Sequence, residues 1–225
     1  MMPEPIRILS TKKLLPNQRQ FLLNAGFSVI EADFIQTVGK KFELGDEDGN
    51  LIFTSQNAVK SFLENEKAQN LKNKKVFCVG TKTKALLEQN GYKVLASKEY
   101  ASELAEIIVN DFKDESFLFF SGSLRRDTLP EALQKANISL KEIEVYETIL
   151  TPQKINGPVD GILFFSPSGV QSYLKENTIE NQRCFCIGTT TAEPLEQLTD
   201  KIIIAKQQTV ENVIIQTINY YSKKL

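Results

Sequence analysis

Short apolar runs that stop at hydroxyl-rich or glycine-rich turns recur along the whole chain, and most of these turns open onto a helical stripe. Ile162-Leu163-Phe164-Phe165 ends at Ser166-Pro167-Ser168-Gly169, and Arg183-Cys184-Phe185-Cys186-Ile187 ends at Gly188-Thr189-Thr190-Thr191. Leu51-Ile52-Phe53 enters Thr54-Ser55-Gln56-Asn57, Val76-Phe77-Cys78-Val79 enters Gly80-Thr81-Lys82-Thr83, and Phe117 to Phe120 enters Ser121-Gly122-Ser123-Leu124-Arg125-Arg126. Apolar runs this short, closed by such punctuation, predict central strands of a parallel sheet, covered on both faces. Ile6-Arg7-Ile8-Leu9, Tyr92-Lys93-Val94-Leu95 and Ile202-Ile203-Ile204 are further expected strands. Helical stripes follow at Phe21, Leu22 and Ala25, at Ala58, Val59, Phe62 and Leu63, at Leu104, Ile107, Ile108 and Phe112, and at Val210, Val213, Ile214 and Ile218. The pattern predicts an α/β fold built from parallel sheets. Phe42 to Asn50 shows no stripe and reads as a loop or linker, its acidic run Glu43 to Asp48 as solvated.

The chain also repeats itself. Ser10 and Ser121, Thr37 and Thr148, Ser55 and Ser166, and Leu63 and Leu174 are each 111 residues apart. After a deletion of three, Phe77-Cys78-Val79-Gly80-Thr81-Lys82-Thr83 falls on Phe185-Cys186-Ile187-Gly188-Thr189-Thr190-Thr191 at a spacing of 108. An internal duplication is predicted, with a ligand held in a cleft between two similar domains. Thr37 to Asn50 and Thr148 to Gly161 are equivalent in the repeat, so both are expected to be interdomain crossings. The expected domains are therefore residues 1–35 with 150–225, and 38–147, with crossings near 35–38 and 147–150.

Composition narrows the chemistry. The chain has no histidine, which removes the usual neutral-pH base, the Ser-His and Cys-His nucleophile pairs and every histidine metal site. Its three cysteines, Cys78, Cys184 and Cys186, lie inside apolar runs without a C-x-x-C pair and read as core residues of a reducing compartment. A formal net charge of -1 argues against general nucleic-acid binding, so an anionic ligand must be met by local donors. No apolar run reaches the span of a membrane helix, and Met1-Met2-Pro3-Glu4-Pro5 lacks the basic start and apolar core of a signal peptide. A cytoplasmic protein acting as a monomer, with neither nucleic-acid nor membrane partner, is expected.

Taken in order, several of these motifs resemble one family. Phe53-Thr54-Ser55 with Ala58-Val59, Val79-Gly80-x-x-Thr83, Ser121-Gly122-x-Leu124-Arg125-Arg126, Val145-Tyr146-x-Thr148, Phe165-Ser166-Pro167-Ser168-Gly169-Val170 and Ile187-Gly188-x-Thr190-Thr191-Ala192 resemble the uroporphyrinogen-III synthases, from Ile8 to about Tyr220. The resemblance implies two flavodoxin-like domains joined by a two-stranded β-ladder, the first built from the N-terminal unit and the C-terminal third. It implies a hydro-lyase that closes the linear tetrapyrrole hydroxymethylbilane with loss of water and inversion of the last ring, giving uroporphyrinogen III on the way to haem, with no metal or organic cofactor. Thr11-Lys12 stands where many relatives carry Thr-Arg, and Asn57 where some carry arginine. Arg183 corresponds to a basic position in some relatives.

Such a substrate carries an acetate and a propionate on each pyrrole, and a chain without excess positive charge must meet them with backbone N–H groups and hydroxyls. The candidates for substrate binding are Thr54, Ser55, Gly80, Thr83, Ser121, Gly122, Arg126, Ser166, Ser168, Gly169, Arg183, Gly188, Thr190 and Thr191. The serines, threonines and glycines among them read equally well as helix N-caps, and capping and binding can coexist because a helix start has several free N–H groups. Arg125 and Arg126 read either as surface charge or as carboxylate partners. Tyr146 is the candidate catalytic residue, a phenol at a crossing able to donate a proton to the leaving hydroxyl. Two other functions fit parts of the pattern: a non-catalytic two-domain binding or sensor protein for a small anion, and an enzyme of sugar phosphates using the Gly-Thr turns. Neither accounts for Val145-Tyr146-x-Thr148.

Overall fold

The computed structural model describes residues 5–45 and 48–222, and within them the apolar runs become strands and the stripes become helices. The strands are β1 (Arg7–Ser10), β2 (Ser28–Glu31), β3 (Ile35–Gly39), β4 (Asn50–Phe53), β5 (Val76–Val79), β6 (Val94–Lys98), β7 (Phe117–Gly122), β8 (Leu140–Leu150), β9 (Gly161–Phe164), β10 (Arg183–Cys186) and β11 (Ile202–Ile204). The helices are α1 (Pro16–Asn24), α2 (Gln56–Leu63), α3 (Thr81–Gln89), α4 (Ala101–Asp111), α5 (Thr128–Lys135), α6 (Pro167–Leu174), α7 (Thr189–Ala192) and α8 (Val210–Ser222).

They form two sheets, one in the order β11-β10-β9-β1-β2 and the other β3-β8-β7-β4-β5-β6. The first is parallel throughout, and so are the pairings among β4 to β8 in the second. Both faces of the central strands are covered, which is why β4, β5, β7, β9 and β10 show no alternation in sequence, whereas β8 alternates buried and exposed positions. On β7, Leu118 and Phe120 enter one layer with Phe53, Phe62 and Val76, while Phe117 and Phe119 enter the other with Ile52, Phe77, Leu104 and Leu133. In the first sheet Ile8, Leu163 and Phe185 pack with α8, and Leu9, Ile162, Phe164 and Cys184 pack on the opposite face with Val170 and Tyr173 of α6.

The chain divides into two compact units, Met1–Gln36 with Ile149–Leu225 and Thr37–Thr148. The divisions fall within β3 and β8, which are neighbours in the second sheet. In the first unit the direction of travel across the sheet reverses between β1 and β9, because β2 lies outside β1 while β10 and β11 continue beyond β9. In the second it reverses between β4 and β7. Such switch points leave a crevice beyond the carboxyl ends of the two strands, where ligands of open α/β sheets bind.

Two local expectations change. The strand expected at Tyr92 to Leu95 begins later, at Val94, because Tyr92 turns into the core and its hydroxyl donates to the Ala68 carbonyl at 2.7 Å. The loop after β3 is anchored rather than solvated where Leu44 lies 3% exposed in the core, its carbonyl accepting from Lys67 Nζ at 2.8 Å, and where Phe42 meets Phe120. Asp46 and Glu47 of the acidic run, and the first four residues on which the leader reading rested, lie outside the described residues. No helix among the described residues is long and apolar enough to cross a membrane.

The first unit buries several weak acids in neutral form. Burial pushes the Cys184 and Cys186 thiols up to about 12 from 9.0, and the Tyr173 phenol up to about 12 from 10.0. In the unfolded chain these groups release protons near their ordinary values, so between pH 9 and 12 the unfolded state binds fewer protons than the folded one. Stability is intact below that window and is lost as pH rises through it. Thermal melts are expected to hold constant to about pH 9 and to fall steadily above it, and replacing Cys184 and Cys186 by alanine is expected to flatten that fall.

Candidate functional site

The second unit brings the turn after β4 and the end of β7 together at its switch point. Ser55 takes an extended backbone and caps α2, its Oγ accepting the Ala58 N–H at 3.1 Å, so the polar turn predicted from Thr54-Ser55 is fixed by the orphan donors of the helix start. Tyr146, on β8, places its Oη 3.1 Å from the same Ser55 Oγ. It reaches there across Gly122. The β7–β8 register shifts between Ser121 and Gly122 and pairs Gly122 with Tyr146, and the phenol ring then lies directly on the glycine. A Cβ at Gly122 would stand 2.3 Å from Tyr146 Cζ. The backbone around the ring is pinned as well, the Ser123 N–H donating to the Tyr146 carbonyl at 3.0 Å and the Thr148 N–H to Ser123 Oγ at 3.0 Å. Thr54, Ser55 and Tyr146 are half-buried, so each reaches the surface of the unit at this point.

The first unit has the corresponding turn at its own switch point. Ser166 caps α6, accepting the Gly169 N–H at 3.0 Å, and its Oγ lies 3.0 Å from Ser168 Oγ. Thr11, at the end of β1, donates its hydroxyl to the Leu163 carbonyl at 2.7 Å, and Lys12 Nζ lies 5.4 Å from the centre of the Phe165 ring. Here the partner of the capping serine is another serine.

The family model described as Uroporphyrinogen-III synthase HemD matches residues 19–215, a span that includes all of the candidate turns. The chain belongs to the uroporphyrinogen-III synthase family. The uroporphyrinogen-III synthase of Chlorobaculum parvum is 27% identical over 176 residues, 68% of this chain and 72% of that one. That of Saccharomyces cerevisiae is 30% identical over 115 residues, 44% of this chain and 42% of the yeast protein. Among solved structures, the uroporphyrinogen-III synthetase of Helicobacter pylori superposes with a TM-score of 0.72 at 22% identity, covering 96% of this chain and 99% of its own. A mutant uroporphyrinogen III synthase of Thermus thermophilus gives 0.70 at 13% identity, covering 98% and 100%. At those identities the structural likeness concerns the fold, an α/β architecture with two mostly parallel sheets.

Within this member of the uroporphyrinogen-III synthase family the remaining candidates divide by what their atoms already do. The Gly80 N–H is engaged by the Lys98 carbonyl at 2.8 Å and Gly80 has φ +90°, so this glycine supplies the left-handed turn into α3 and not a donor for a ligand. The Gly169 N–H is likewise held by its serine cap. Thr83 and Thr191 are 4% and 1% exposed, and their N–H groups donate to the Gly80 and Gly188 carbonyls at 3.1 Å, which places them beneath the turns. Ser121 is 5% exposed, at the buried end of β7. Gly188 carries the side chain of Gln208 over it, 3.4 Å from where a Cβ would be, and Thr190 follows half-buried in α7.

Arg183 stands at the opposite edge of the first sheet from the turns after β9 and β10. It begins β10 and therefore lies at the amino edge of a parallel sheet, where its guanidinium donates to Tyr220 Oη at 2.8 Å and stacks 4.7 Å from that ring. Its place at the start of the run that ends at Gly188 was legible in the sequence, and Tyr220, far along the chain, is the partner that only the fold supplies. Arg125 is paired with Asp127 and Glu142, and Arg126 is exposed in the loop between β7 and α5. Thr11 and Lys12 follow β1, which ends in the same hydroxyl-rich manner as β4. Gln208, which no local pattern marks, lies beside Gly188. Among the described residues no group of three or more acidic, cysteine or histidine side chains is placed to hold a metal ion.

Proposed function

We propose that this chain is a working uroporphyrinogen-III synthase: a cyclising hydro-lyase of tetrapyrrole biosynthesis that converts hydroxymethylbilane into uroporphyrinogen III without metal or organic cofactor. The observation that carries the reading is the phenol of Tyr146 seated on the capping serine of α2 at the β4–β7 switch point, in a chain that belongs to this family. Water has to leave from a hydroxymethyl carbon, and the adjacent pyrrole nitrogen supplies the electrons. An acid need only protonate the departing oxygen, which a neutral phenol can do. The isomer formed depends on which conformer of the chain closes, so most of the catalytic effect is positional. Orientation alone can contribute on the order of 7 to 11 kcal/mol, ample for choosing between two ring closures. Candidate donors for the substrate carboxylates are, in the second unit, the Thr54 hydroxyl and Arg126 and, in the first unit, the hydroxyls of Ser166, Ser168 and Thr190.

We also infer that the two halves arose by duplication and that β3 with β8 forms a two-stranded connection between domains spanning residues 38–147 and 1–35 with 150–225. Supporting this, β4 and β9, and α2 and α6, stand 111 residues apart at both ends, matching the spacing of Ser55 and Ser166. With β1 and β2 taken first, then β9 to β11, the first sheet has the strand order 2-1-3-4-5. Taking β7 and β8 first, then β4 to β6, gives the same flavodoxin-like order in the second. The enzyme is read as a cytoplasmic monomer that binds neither nucleic acid nor membrane.

The test is incubation of the purified protein with hydroxymethylbilane in the presence of chelator, followed by separation of the products by isomer. Type III product is expected, well above an enzyme-free control; type I alone at the control rate would remove the assignment and favour the anion-binding alternative. In the same assay Tyr146→Phe is expected to lower kcat by about a hundredfold, the low end for general-acid assistance because the leaving group is labile. Its KM should change little and its product should remain type III. Full kcat in that variant would reduce Tyr146 to a packing residue.

A further inference from the structure

From the geometry around Tyr146 we infer that Ser55 is a positioning residue for proton donation, linking the N-terminus of α2 to the phenol oxygen; the inference rests on the proposed role of Tyr146. Ser55 Oγ lies within hydrogen-bond distance of two groups at once, the Ala58 N–H at 3.1 Å and Tyr146 Oη at 3.1 Å. A serine hydroxyl has one proton and two acceptor positions. With one acceptor position filled by the Ala58 N–H, Oγ can accept from the neutral phenol and, by rotating its own hydrogen, donate to the phenol oxygen once the phenol proton has moved. The N–H that it accepts polarises its O–H and makes it a better donor, and the helix start behind it favours negative charge.

The proton balance is then closed. As the carbon–oxygen bond of the hydroxymethyl group breaks, the pyrrole nitrogen donates its electron pair and the Tyr146 proton leaves with the oxygen as water. The Tyr146 oxygen carries the negative charge, held by the Ser55 O–H, until it takes back the proton that the closing ring carbon loses as aromaticity returns. The Gly122 contact fixes the ring so that this bond to Ser55 persists. The first unit provides an internal contrast. Ser166 makes the same cap on α6, but its second partner is Ser168 Oγ, which cannot carry such a charge at neutral pH. The proton chemistry is therefore assigned to the second unit alone.

Replacing Ser55 tests this because capping and donation separate between variants. Ser55→Ala is expected to lower kcat by about tenfold to a hundredfold, the range for losing a hydrogen bond to a charged group, with KM little changed. Ser55→Thr keeps both functions and should return kcat to within a few-fold of the parent. Ser55→Asp keeps the cap, so it should melt with the parent protein, but a carboxylate can only accept and its kcat should stay as low as that of Ser55→Ala. In the double variant Ser55→Ala with Tyr146→Phe, kcat should fall no further than with Tyr146→Phe alone, since the two residues act on one proton. Recovery of kcat by Ser55→Asp would overturn the proposal by showing that only the cap matters, and so would multiplying effects in the double variant. If Tyr146→Phe itself keeps full kcat, the proposal falls together with the role of Tyr146, whereas parent protein yielding only type I product would point instead to a failure of the functional assignment.

Discussion

Gly122→Ala is expected to abolish most of the activity and to destabilise the second unit, through one methyl group. The added Cβ would lie 2.3, 2.6 and 2.7 Å from Cζ, Cε2 and Cε1 of Tyr146, well inside any carbon contact. A phenol ring is stiff, so it cannot yield by bending as a lysine would; it must swing away, or β7 and β8 must part. Either movement takes Oη off Ser55 Oγ. The loss in kcat should therefore at least equal the roughly hundredfold expected for deleting the hydroxyl, because the whole ring is displaced. Overpacking of this kind also costs about 1 to 3 kcal/mol of stability. The cause can be isolated by a double variant: in a Tyr146→Ala background the methyl meets no ring, and Gly122→Ala should then leave the urea midpoint nearly unchanged. A Gly122→Ala protein with parental kcat and midpoint would show that the ring does not rest on this glycine in solution.

Phe120→Ala is expected to give the largest loss of stability. Phe120 is completely buried, stacks on Phe53 at 5.1 Å between ring centres with planes 12° apart, and meets Phe62 at 4.7 Å and Phe42 at 6.2 Å. Truncating a buried phenylalanine costs about 3 to 5 kcal/mol. That is a large share of the roughly 5 to 15 kcal/mol that holds a whole domain folded. The damage should also be local. Phe53, Phe62 and Phe120 share one layer of the second unit, and Phe42 ties the segment after β3 to it. Amide exchange is expected to speed up in β4, β5 and β7, while β1, β9 and β10 of the first unit keep their protection. Uniform loss of protection across both units would show that they unfold as one.

The sequence by itself determined the class of fold, the positions of the main strands and helices, the capping serines and the family. These depend on short-range physics: an apolar run with no alternation is a strand covered on both faces, and a serine before a helical stripe caps the helix. Ser55 and Ser166 could be paired by counting residues, because the spacing survives in the chain. What the tertiary structure decided is which partner each cap and each charge receives. Tyr146 reaches Ser55 only because the β7–β8 register shifts at Gly122, and a register shift between strands that close a helix apart leaves no mark in local periodicity. Gly80 and Gly122 look alike in sequence, yet one is required by a left-handed turn and the other by the close approach of a ring. Arg183 opens its run in the sequence, but its partner, the Tyr220 hydroxyl, lies far along the chain. Leu44 sits in an acidic stretch that reads as solvated, and only packing against a core built from residues far along the chain draws it inside. Local patterns fix what each segment becomes; hydrogen-bond partners and burial depend on contacts between distant segments, which only the folded chain brings together.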